Sequence, residues 1–221
     1  MQRERERVIS DQFFIILNEA AQIVGVELYS IDRKKLDEIA TCYDGIHQTP
    51  KYTNDGIPFI SVKNIKNIYE TDKYISKEEF KKFKIKPKKD DVFMTRIGDI
   101  GTCAIVKNDD DLAYYVTLTL IRPNHSVVLS RFIKYFIESD YGKKELNKRI
   151  LHKAIPIKIN LGDVSKLELP IPPLEVQLHV VNILDKFSTI TNDLNEGLPA
   201  EINLRKQQYE YYREMLLSFP H

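Results

Sequence analysis

The stretch LPIPPLEVQLHVVNILDKF, residues 169–187, places three prolines within four positions directly before an amphipathic pattern. Proline fixes φ at about −65° and has no amide N–H, so it cannot continue a central β-strand. The same properties suit the first turn of a helix, where the amide N–H groups have no intrahelical partner. The sequence therefore predicts that a folded domain ends at residue 171 and that a helix begins at Pro172–Pro173.

From Val180 onward, apolar residues recur in alternating steps of three and four, the spacing of a coiled-coil seam. The seam is interrupted at 197–199 and resumes at Ile202, so two helices are expected. Two interpretations remain open: a helical hairpin folded on its own domain, or pairing with helices of a second copy. The residues expected to pack on partner helices are Leu174, Leu178, Val180, Leu184, Phe187, Leu194, Leu198, Ile202, Tyr209, Tyr212 and Leu216.

Upstream of the prolines, predicted strands and helices follow one another too irregularly for a doubly wound sheet. Ser76 followed by Glu79 is a capping-box pattern that predicts a short helix. Strands are predicted at 57–62, 92–97, 102–107 and 114–121, and helices at 8–24 and 130–150. The expected fold class is α+β: an N-terminal helix within 1–24, a mixed α/β domain over 25–171, and long C-terminal helices over 172–221 that form a coiled-coil-like stalk.

Charge is distributed unevenly although the net charge is only +1. Residues 51–158 carry 22 basic and 14 acidic side chains, whereas residues 1–50 carry 6 and 9 and residues 159–221 carry 5 and 9. A basic middle between acidic flanks favours a polyanionic partner such as nucleic acid. A lysine-rich solvated face is the competing interpretation.

The sequence gives no sign of a membrane or secreted protein. No apolar run reaches the roughly 20 residues that a transmembrane helix needs, and the N-terminus MQRERERVISDQ lacks the apolar core of a signal peptide. We therefore expect a cytoplasmic location. Cys42 and Cys103 match no CxxC pattern and are interpreted as reduced thiols.

Motifs that assemble catalytic sites are missing from the sequence. It contains no GxGxxG, P-loop or GxSxG pattern, and its five histidines do not have metal-ligand spacing. The pairs Asp90–Asp91 and Asp109–Asp111 are carboxylates that a nuclease could use, but each falls in a polar turn that favours a solvated loop. We expect no catalytic residue, no metal and no cofactor, and therefore a binding protein.

The basic middle segment places cations among hydrogen-bonding and aromatic side chains in turns shaped by Gly and Pro. Lys and Arg neutralise phosphates, while Arg, Gln and Asn can contact base edges. For each such residue, plain surface exposure is the competing interpretation. The candidate DNA-binding residues are His47, Gln48, Thr49, Lys51, Tyr52, Ser61, Lys63, Asn64, Thr95, Arg96 and Lys153.

An ordered set of segments resembles the DNA specificity subunit of type I restriction–modification systems. The matching pieces are VELYSIDRKKLDEIATCYDGIHQTPKY, GIPFISVKNI, DDVFMTRIGDIGTCAIV, LTLIRP, INLGDVSKLELPIPPLEVQLHVVNILDKF and LNEGLPAEINLRKQQYEYYREMLLSF. They cover nearly everything from residue 26 onward. Val176 stands where the family usually has Glu in its PPLEEQ motif, and Ile155-Pro156 interrupts its usual polar loop.

The resemblance implies a non-catalytic subunit whose partner is double-stranded DNA. Such a subunit also binds a methyltransferase (M) subunit and, through it, the restriction (R) subunit. Full-length members have two recognition domains and two helical regions, whereas this chain has one of each. The resemblance thus implies a half-length subunit, and a homodimer paired through its helices would read an interrupted palindrome.

Three alternatives stay open at this point. The chain could be the specificity module of a related two-subunit restriction–modification system. It could be a small metal-dependent nuclease that uses Asp90 and Asp91. It could also be a coiled-coil interaction protein that does not bind DNA.

Overall fold

The computed structural model describes residues 2–27 and 31–188, with side chains described from residue 13. The helices are α1 (Gln2–Ile23), α2 (Leu36–Ile39), α3 (Lys77–Phe80), α4 (Ser130–Glu138), α5 (Asp140–Asn147), α6 (Leu161–Val164) and α7, which begins at 174 and is described to 188. The strands are β1 (Arg33–Lys35), β2 (Ala40–Asp44), β3 (Tyr52–Thr53), β4 (Ile57–Ile60), β5 (Tyr74–Ile75), β6 (Val92–Ile97), β7 (Asp99–Ile105), β8 (Ala113–Tyr114), β9 (Leu118–Pro123) and β10 (Glu168–Pro170). A 3-10 helix covers Val62–Asn64.

The chain divides into two compact units, Met1–Val181 and Asn182–His221. The sheets and all helices before α7 belong to the first unit. None of the helices in the described ranges has the length and apolar character needed to cross a bilayer.

A four-stranded antiparallel sheet, in the order β2-β9-β6-β7, forms the centre of the first unit. Its strands are rich in β-branched, aromatic and leucine side chains, which pack well on a pleated surface. Phe93, Leu118 and Leu120 are completely buried on one face, where they join Ile60 and Tyr114 in a hydrophobic cluster. The predicted strand at 92–97 is confirmed, and the one at 102–107 lies largely within β7.

The single strand predicted over 114–121 is wrong, because the chain changes sheets within it. The backbone N–H groups of Tyr115 and Val116 donate to the carbonyls of Ile60 (2.9 Å) and Ile46 (3.0 Å). Residues 115–117 therefore connect β8 to β9. β8 belongs to a second sheet, in the order β3-β5-β4-β8, where it pairs in parallel with β4.

The helix predicted over 130–150 is divided at Ser139, whose backbone is extended between α4 and α5. The Ser139 Oγ accepts the backbone N–H of Gly142 at 3.1 Å and so caps α5. Gly142 lies so close to α4 that a Cβ there would be 2.0 Å from the Phe136 carbonyl oxygen. The close approach of the two helices requires both the break and the glycine.

The N-terminal helix α1 packs on α4 and α5 through aromatic side chains. The ring centroid of Phe13 lies 5.7 Å from that of Phe132 and 6.2 Å from that of Phe136. Phe13 is buried. The N-terminal helix, whose packing the sequence left open, is therefore part of the same compact unit as the sheet.

The prolines at 170–173 separate the last strand from the last described helix, as predicted, but the first compact unit continues to Val181 rather than ending at residue 171. β10 ends at Pro170 against β1, and α7 begins at residue 174 with the carbonyl of Pro173 accepting the N–H of Gln177 at 3.1 Å. Gln177 is buried, and its side chain accepts the N–H of Leu129 at 3.0 Å and donates to the carbonyl of Val127 at 2.9 Å. These bonds tie the start of α7 to the start of α4.

Candidate nucleic-acid interface

The central sheet brings several turns to one of its ends. β2 ends at Asp44, which pairs with Thr119 at the beginning of β9. β6 ends at Ile97, which pairs with Asp99 at the beginning of β7. Because neighbouring strands are antiparallel, the segment that follows β2 and the β6–β7 turn lie at the same end of the sheet.

The second sheet adds the loop after β4 to this end. Ile46 forms a parallel bridge with Tyr115, and the N–H of Tyr115 donates to the carbonyl of Ile60, the last residue of β4. The N–H of Val62 then donates to the Thr117 hydroxyl at 3.1 Å. The 3-10 helix at 62–64 is thereby fixed beside the start of β9.

A fourth segment, 151–158, is attached to the end of β6. The N–H of Gly98 donates to the carbonyl of Ile157 at 2.8 Å, and Ile97 forms an antiparallel bridge with Lys158. This attachment brings Lys153 to the same end of the sheet. Together the four segments, residues 45–51, 61–64, 97–99 and 151–158, form the strand-end surface.

Most of the predicted DNA-binding side chains are exposed. The Tyr52 ring packs edge-on against Phe59 at 5.6 Å, with the Lys73 ammonium 4.7 Å from its centroid. Lys158 is also exposed on the strand-end surface, although it was not named as a candidate from the sequence. Its position in the alternating segment IPIKIN could have indicated an exposed side chain. The exposed predicted residues are His47, Gln48, Thr49, Lys51, Tyr52, Lys63 and Lys153.

The predictions for Thr95 and Arg96 are corrected, because both lie in β6 and are buried. The Thr95 hydroxyl donates to Asp99 at 3.0 Å and accepts the N–H of Thr102 at 3.0 Å. Arg96 Nη2 lies 2.7 Å from Asp44 Oδ1, and its Nη1 donates to the carbonyl of Ile159 at 3.1 Å. These buried side chains connect β6 to β2, to β7 and to the segment at Ile159, and so stabilise the end of the sheet.

The side chains of Ser61 and Asn64 form hydrogen bonds within the loop that follows β4. The Ser61 hydroxyl accepts the N–H of Lys63 at 3.4 Å, and Asn64 Oδ1 accepts the N–H of Ser61 at 3.1 Å. The Asn64 amide then donates to the carbonyl of Glu70 at 2.8 Å. Since both polar ends of Asn64 are engaged, it is not available for bidentate contact with a base. Lys63, the exposed residue between them, is the one that the loop presents.

The exposed charges of the strand-end surface are mainly positive. Lys51, Lys63, Lys153 and Lys158 are exposed, and His47 Nε2 lies 3.4 Å from Asp44 Oδ2. Asp44 is therefore in contact with His47 as well as with Arg96. Exposed cations on the same surface as exposed amide and hydroxyl groups have the chemistry needed to contact phosphates and base edges.

The carboxylates considered for a nuclease make other contacts. Asp91 is buried, and its two oxygens accept from Arg122 Nε at 2.9 Å and Nη2 at 2.7 Å. Asp109 accepts the N–H of Lys89 at 2.8 Å. Within the part of the chain that the structure describes, no three His, Cys, Asp or Glu side chains are grouped as metal ligands.

The described part of α7 divides the predicted helical seam into two sets. Val176, Val180 and Leu184 are buried. A partner helix is therefore not needed to cover Val180, which belongs to the first unit. Leu174, Leu178 and Phe187 remain 37%, 51% and 39% exposed. The other predicted seam residues, Leu194, Leu198, Ile202, Tyr209, Tyr212 and Leu216, lie outside the described residues.

Comparison of the sequence with known proteins gives a consistent set of relatives. The type I restriction modification DNA specificity domain matches residues 32–204. The chain is 32% identical over 167 residues to a putative type I restriction enzyme specificity subunit of Haemophilus influenzae, covering 74% of this chain and 41% of the relative. It is 29% identical over 212 residues to the EcoR124I/EcoR124II specificity subunit of Escherichia coli, covering 90% and 51%.

Solved structures have the same fold. The HsdS subunit from Thermoanaerobacter tengcongensis superposes with a TM-score of 0.61 at 19% identity, covering 89% of this chain and 48% of that one. A chain from a structural study of type I R-M complex assembly superposes with a TM-score of 0.65 at 18% identity, covering 96% and 53%. The chain spans about half the length of the curated relatives that it matches. Because the family model covers most of the chain, the protein belongs to the family of type I restriction–modification DNA specificity domains.

Proposed function

We propose that the chain is the non-catalytic DNA specificity component of a type I restriction–modification system and that the strand-end surface reads the DNA. The observation that carries the proposal is the convergence of four sequence-distant segments at one end of a rigid sheet. These segments present Lys51, Lys63 and Lys153 beside Gln48 and Thr49. Loops held by a fixed scaffold can enter a groove with a defined register.

The exposed side chains divide by chemistry. Lys51, Lys63 and Lys153 are suited to phosphates, where an ammonium acts as a point charge. Gln48 has an amide that can donate to and accept from one adenine edge. Arg96 and Asn64 support these residues by fixing the segments that carry them.

In such a system, methylation and cleavage of the DNA would be carried out by other subunits. A methyltransferase subunit would dock on the helical region, and the restriction subunit would join the complex through it. Both would act on double-stranded DNA in the cytoplasm. The engagement of Asp91 with Arg122 supports a structural role for that carboxylate rather than a metal-binding one.

One recognition domain suits one half of a bipartite site. We propose that two copies pair through their helical regions and read an interrupted palindrome. Leu174 and Leu178 are exposed apolar side chains of α7 that could take part in that pairing. A twofold pair would use the same surface on both copies.

Single-molecule methylome sequencing of cells that produce the chain with its methyltransferase tests the function. The expected result is one methylated, interrupted palindrome that is absent from cells without the chain. A matched strain carries the double substitution Lys63→Glu and Lys153→Glu, which should erase the motif while leaving the protein folded. Methylation that does not depend on the chain would refute the proposed function.

A further inference from the structure

The loop at 151–157 has an unusual concentration of exposed aliphatic side chains. Ile155 is 100% exposed, and Leu151 and Ile157 are 41% and 39% exposed. Single exposed apolar residues are ordinary on protein surfaces, but three within seven residues on one loop indicate a contact site. Ile155 is the most exposed of the three, and we call it the tip of the loop.

Backbone hydrogen bonds hold this tip in place. The N–H of Leu151 donates to the carbonyl of Lys158 at 2.8 Å, and the N–H of Ala154 donates to the carbonyl of Leu151 at 3.0 Å. On the side of β6, Gly98 donates to Ile157 at 2.8 Å and Ile159 donates to the carbonyl of Arg96 at 3.0 Å. The tip is thus tied to the strand whose end carries the strand-end surface.

The charges around the tip select the kind of partner. Residues 151–158 include His152, Lys153 and Lys158 and contain no acidic residue. Both lysines are exposed. The exposed carboxylate on the adjoining β6–β7 turn is Asp99, which accepts a hydrogen bond from the Thr95 hydroxyl. An apolar tip between cations is complementary to duplex DNA, which has phosphates along each groove and stacked bases between them.

We propose that Ile155 is an apolar wedge that enters a groove of the bound DNA and presses against a base step, with Lys153 and Lys158 on the phosphates at either side. The proposal rests on the proposed function. A wedge of this kind partly unstacks the step and bends the duplex, so it favours sequences that are easily deformed, such as pyrimidine–purine steps. Ile155 thereby contributes to specificity without a hydrogen bond to any base.

The test begins with the wild-type full chain, which is used to enrich binding duplexes from a random pool. The enriched duplex is then labelled at its ends for energy transfer, which reports bending. A second set carries 2-aminopurine at successive positions, where a rise in fluorescence reports unstacking. Ile155→Ala is compared with Ile155→Leu, which keeps an aliphatic tip, and with Ile23→Ala in α1, which shortens another exposed isoleucine (70% exposed).

Ile155→Ala is expected to bind the enriched duplex about tenfold more weakly, because it removes part of the aliphatic surface that the bound DNA would bury. Its bending signal and its 2-aminopurine signal should fall toward those of free DNA, while the salt dependence of binding stays unchanged. Ile155→Leu and Ile23→Ala should behave as the wild type does. Since Ile155 is fully exposed, circular dichroism should show the same fold for all variants.

The possible negative results distinguish failure of the wedge from failure of the proposed function. If the wild type enriches a sequence and Ile155→Ala binds and bends it equally well, the wedge is refuted and the proposed function stands. If Ile155→Ala retains DNA binding but loses a co-purified methyltransferase, the tip contacts protein and the wedge is refuted. If the wild type enriches no sequence, both the proposed function and the wedge fail.

Discussion

Arg96 and Asp44 form an ion pair, with Arg96 Nη2 and Asp44 Oδ1 2.7 Å apart, at the end of the central sheet. The Arg96 side chain is 7% exposed and the Asp44 side chain 27% exposed. The pair joins β6 to β2 across the intervening β9. It also places His47, which contacts the same carboxylate, on the strand-end surface.

Replacing Arg96 with Met should lower the free energy of unfolding by about 3 kcal/mol, because Asp44 is left without its cation. Urea unfolding followed by circular dichroism measures this change. The control Lys51→Met removes an exposed cation and should change stability by less than about 0.5 kcal/mol. Equal stability of Arg96→Met and wild type would show that the ion pair does not stabilise the sheet.

Gln177→Leu should destabilise the protein by about 3 kcal/mol. The leucine leaves the N–H of Leu129 and the carbonyls of Val127 and Pro172 without their buried partner. Thermal unfolding by calorimetry measures the change, and Gln48→Leu at an exposed position is the matched control. A variant as stable as the wild type would mean that these bonds do not fix the start of α7.

Lys63→Ala should weaken binding to specific and to random DNA equally and should reduce the slope of log K against log salt by about one. Fluorescence anisotropy titrations at several salt concentrations give the slope. Lys89→Ala is the control, since Lys89 is exposed and precedes the start of β6, at the opposite end of the sheet. An equal loss in both variants would show that position on the strand-end surface is irrelevant.

Native Cys42 should react very slowly with iodoacetamide at pH 8. Burial raises the pKa of its thiol from 9.0 to about 12, so little thiolate is present at that pH. Burial also raises the pKa of the Cys103 thiol. Mass spectrometry should show both cysteines labelled only after unfolding in urea. Rapid, stoichiometric labelling of Cys42 in the folded protein would contradict this assignment.

The same raised pKa has a consequence for stability. The unfolded thiol loses its proton above pH 9 while the folded Cys42 thiol keeps it, so the contribution of Cys42 is present below pH 9 and declines as the pH rises toward 12. Cys42→Ser should reduce the loss of stability between pH 9 and pH 10.5. Denaturant midpoints at the two pH values give the comparison.

Leu178→Glu should shift the protein from dimer to monomer in light scattering, because the substitution places a charge on an exposed apolar position of α7. Its control, Ile23→Glu, adds the same charge to an exposed isoleucine of α1 and should leave the mass unchanged. A dimer that survives Leu178→Glu would exclude this face of α7 from the pairing surface.

Structural features that depend on residues close together in the sequence could be predicted from it. Ser76 accepts the N–H of Glu79 at 3.1 Å and begins α3, as its capping pattern predicts. The prolines at 172 and 173 precede α7 for the same local reason, since they end a strand and suit the start of a helix. The β6 and β7 strands follow from their composition.

The positions of the candidate site residues could not be predicted in the same way. A cationic residue beside a Gly-Asp-Ile-Gly turn looks exposed in sequence, but Arg96 is buried because Asp44 and the Ile159 carbonyl, both distant along the chain, lie next to it. The break at Ser139 likewise depends on how closely α5 approaches α4. Asn64 was interpreted as a possible base contact. Its hydrogen bonds to Ser61 and Glu70 form only when the loop closes, so the sequence did not reveal that its side chain is engaged.

The sequence by itself determined the short helix capped by Ser76, the β6 strand, the change from strand to helix at the prolines, the basic middle segment and the family resemblance. All of these depend on residues that are adjacent or in fixed order along the chain. Only the tertiary structure decided which cations are exposed and which polar side chains form the hydrogen bonds that hold the loops. It also decided that four distant segments meet at one end of the sheet. Those outcomes depend on strand pairing and burial, which join residues that the sequence keeps far apart.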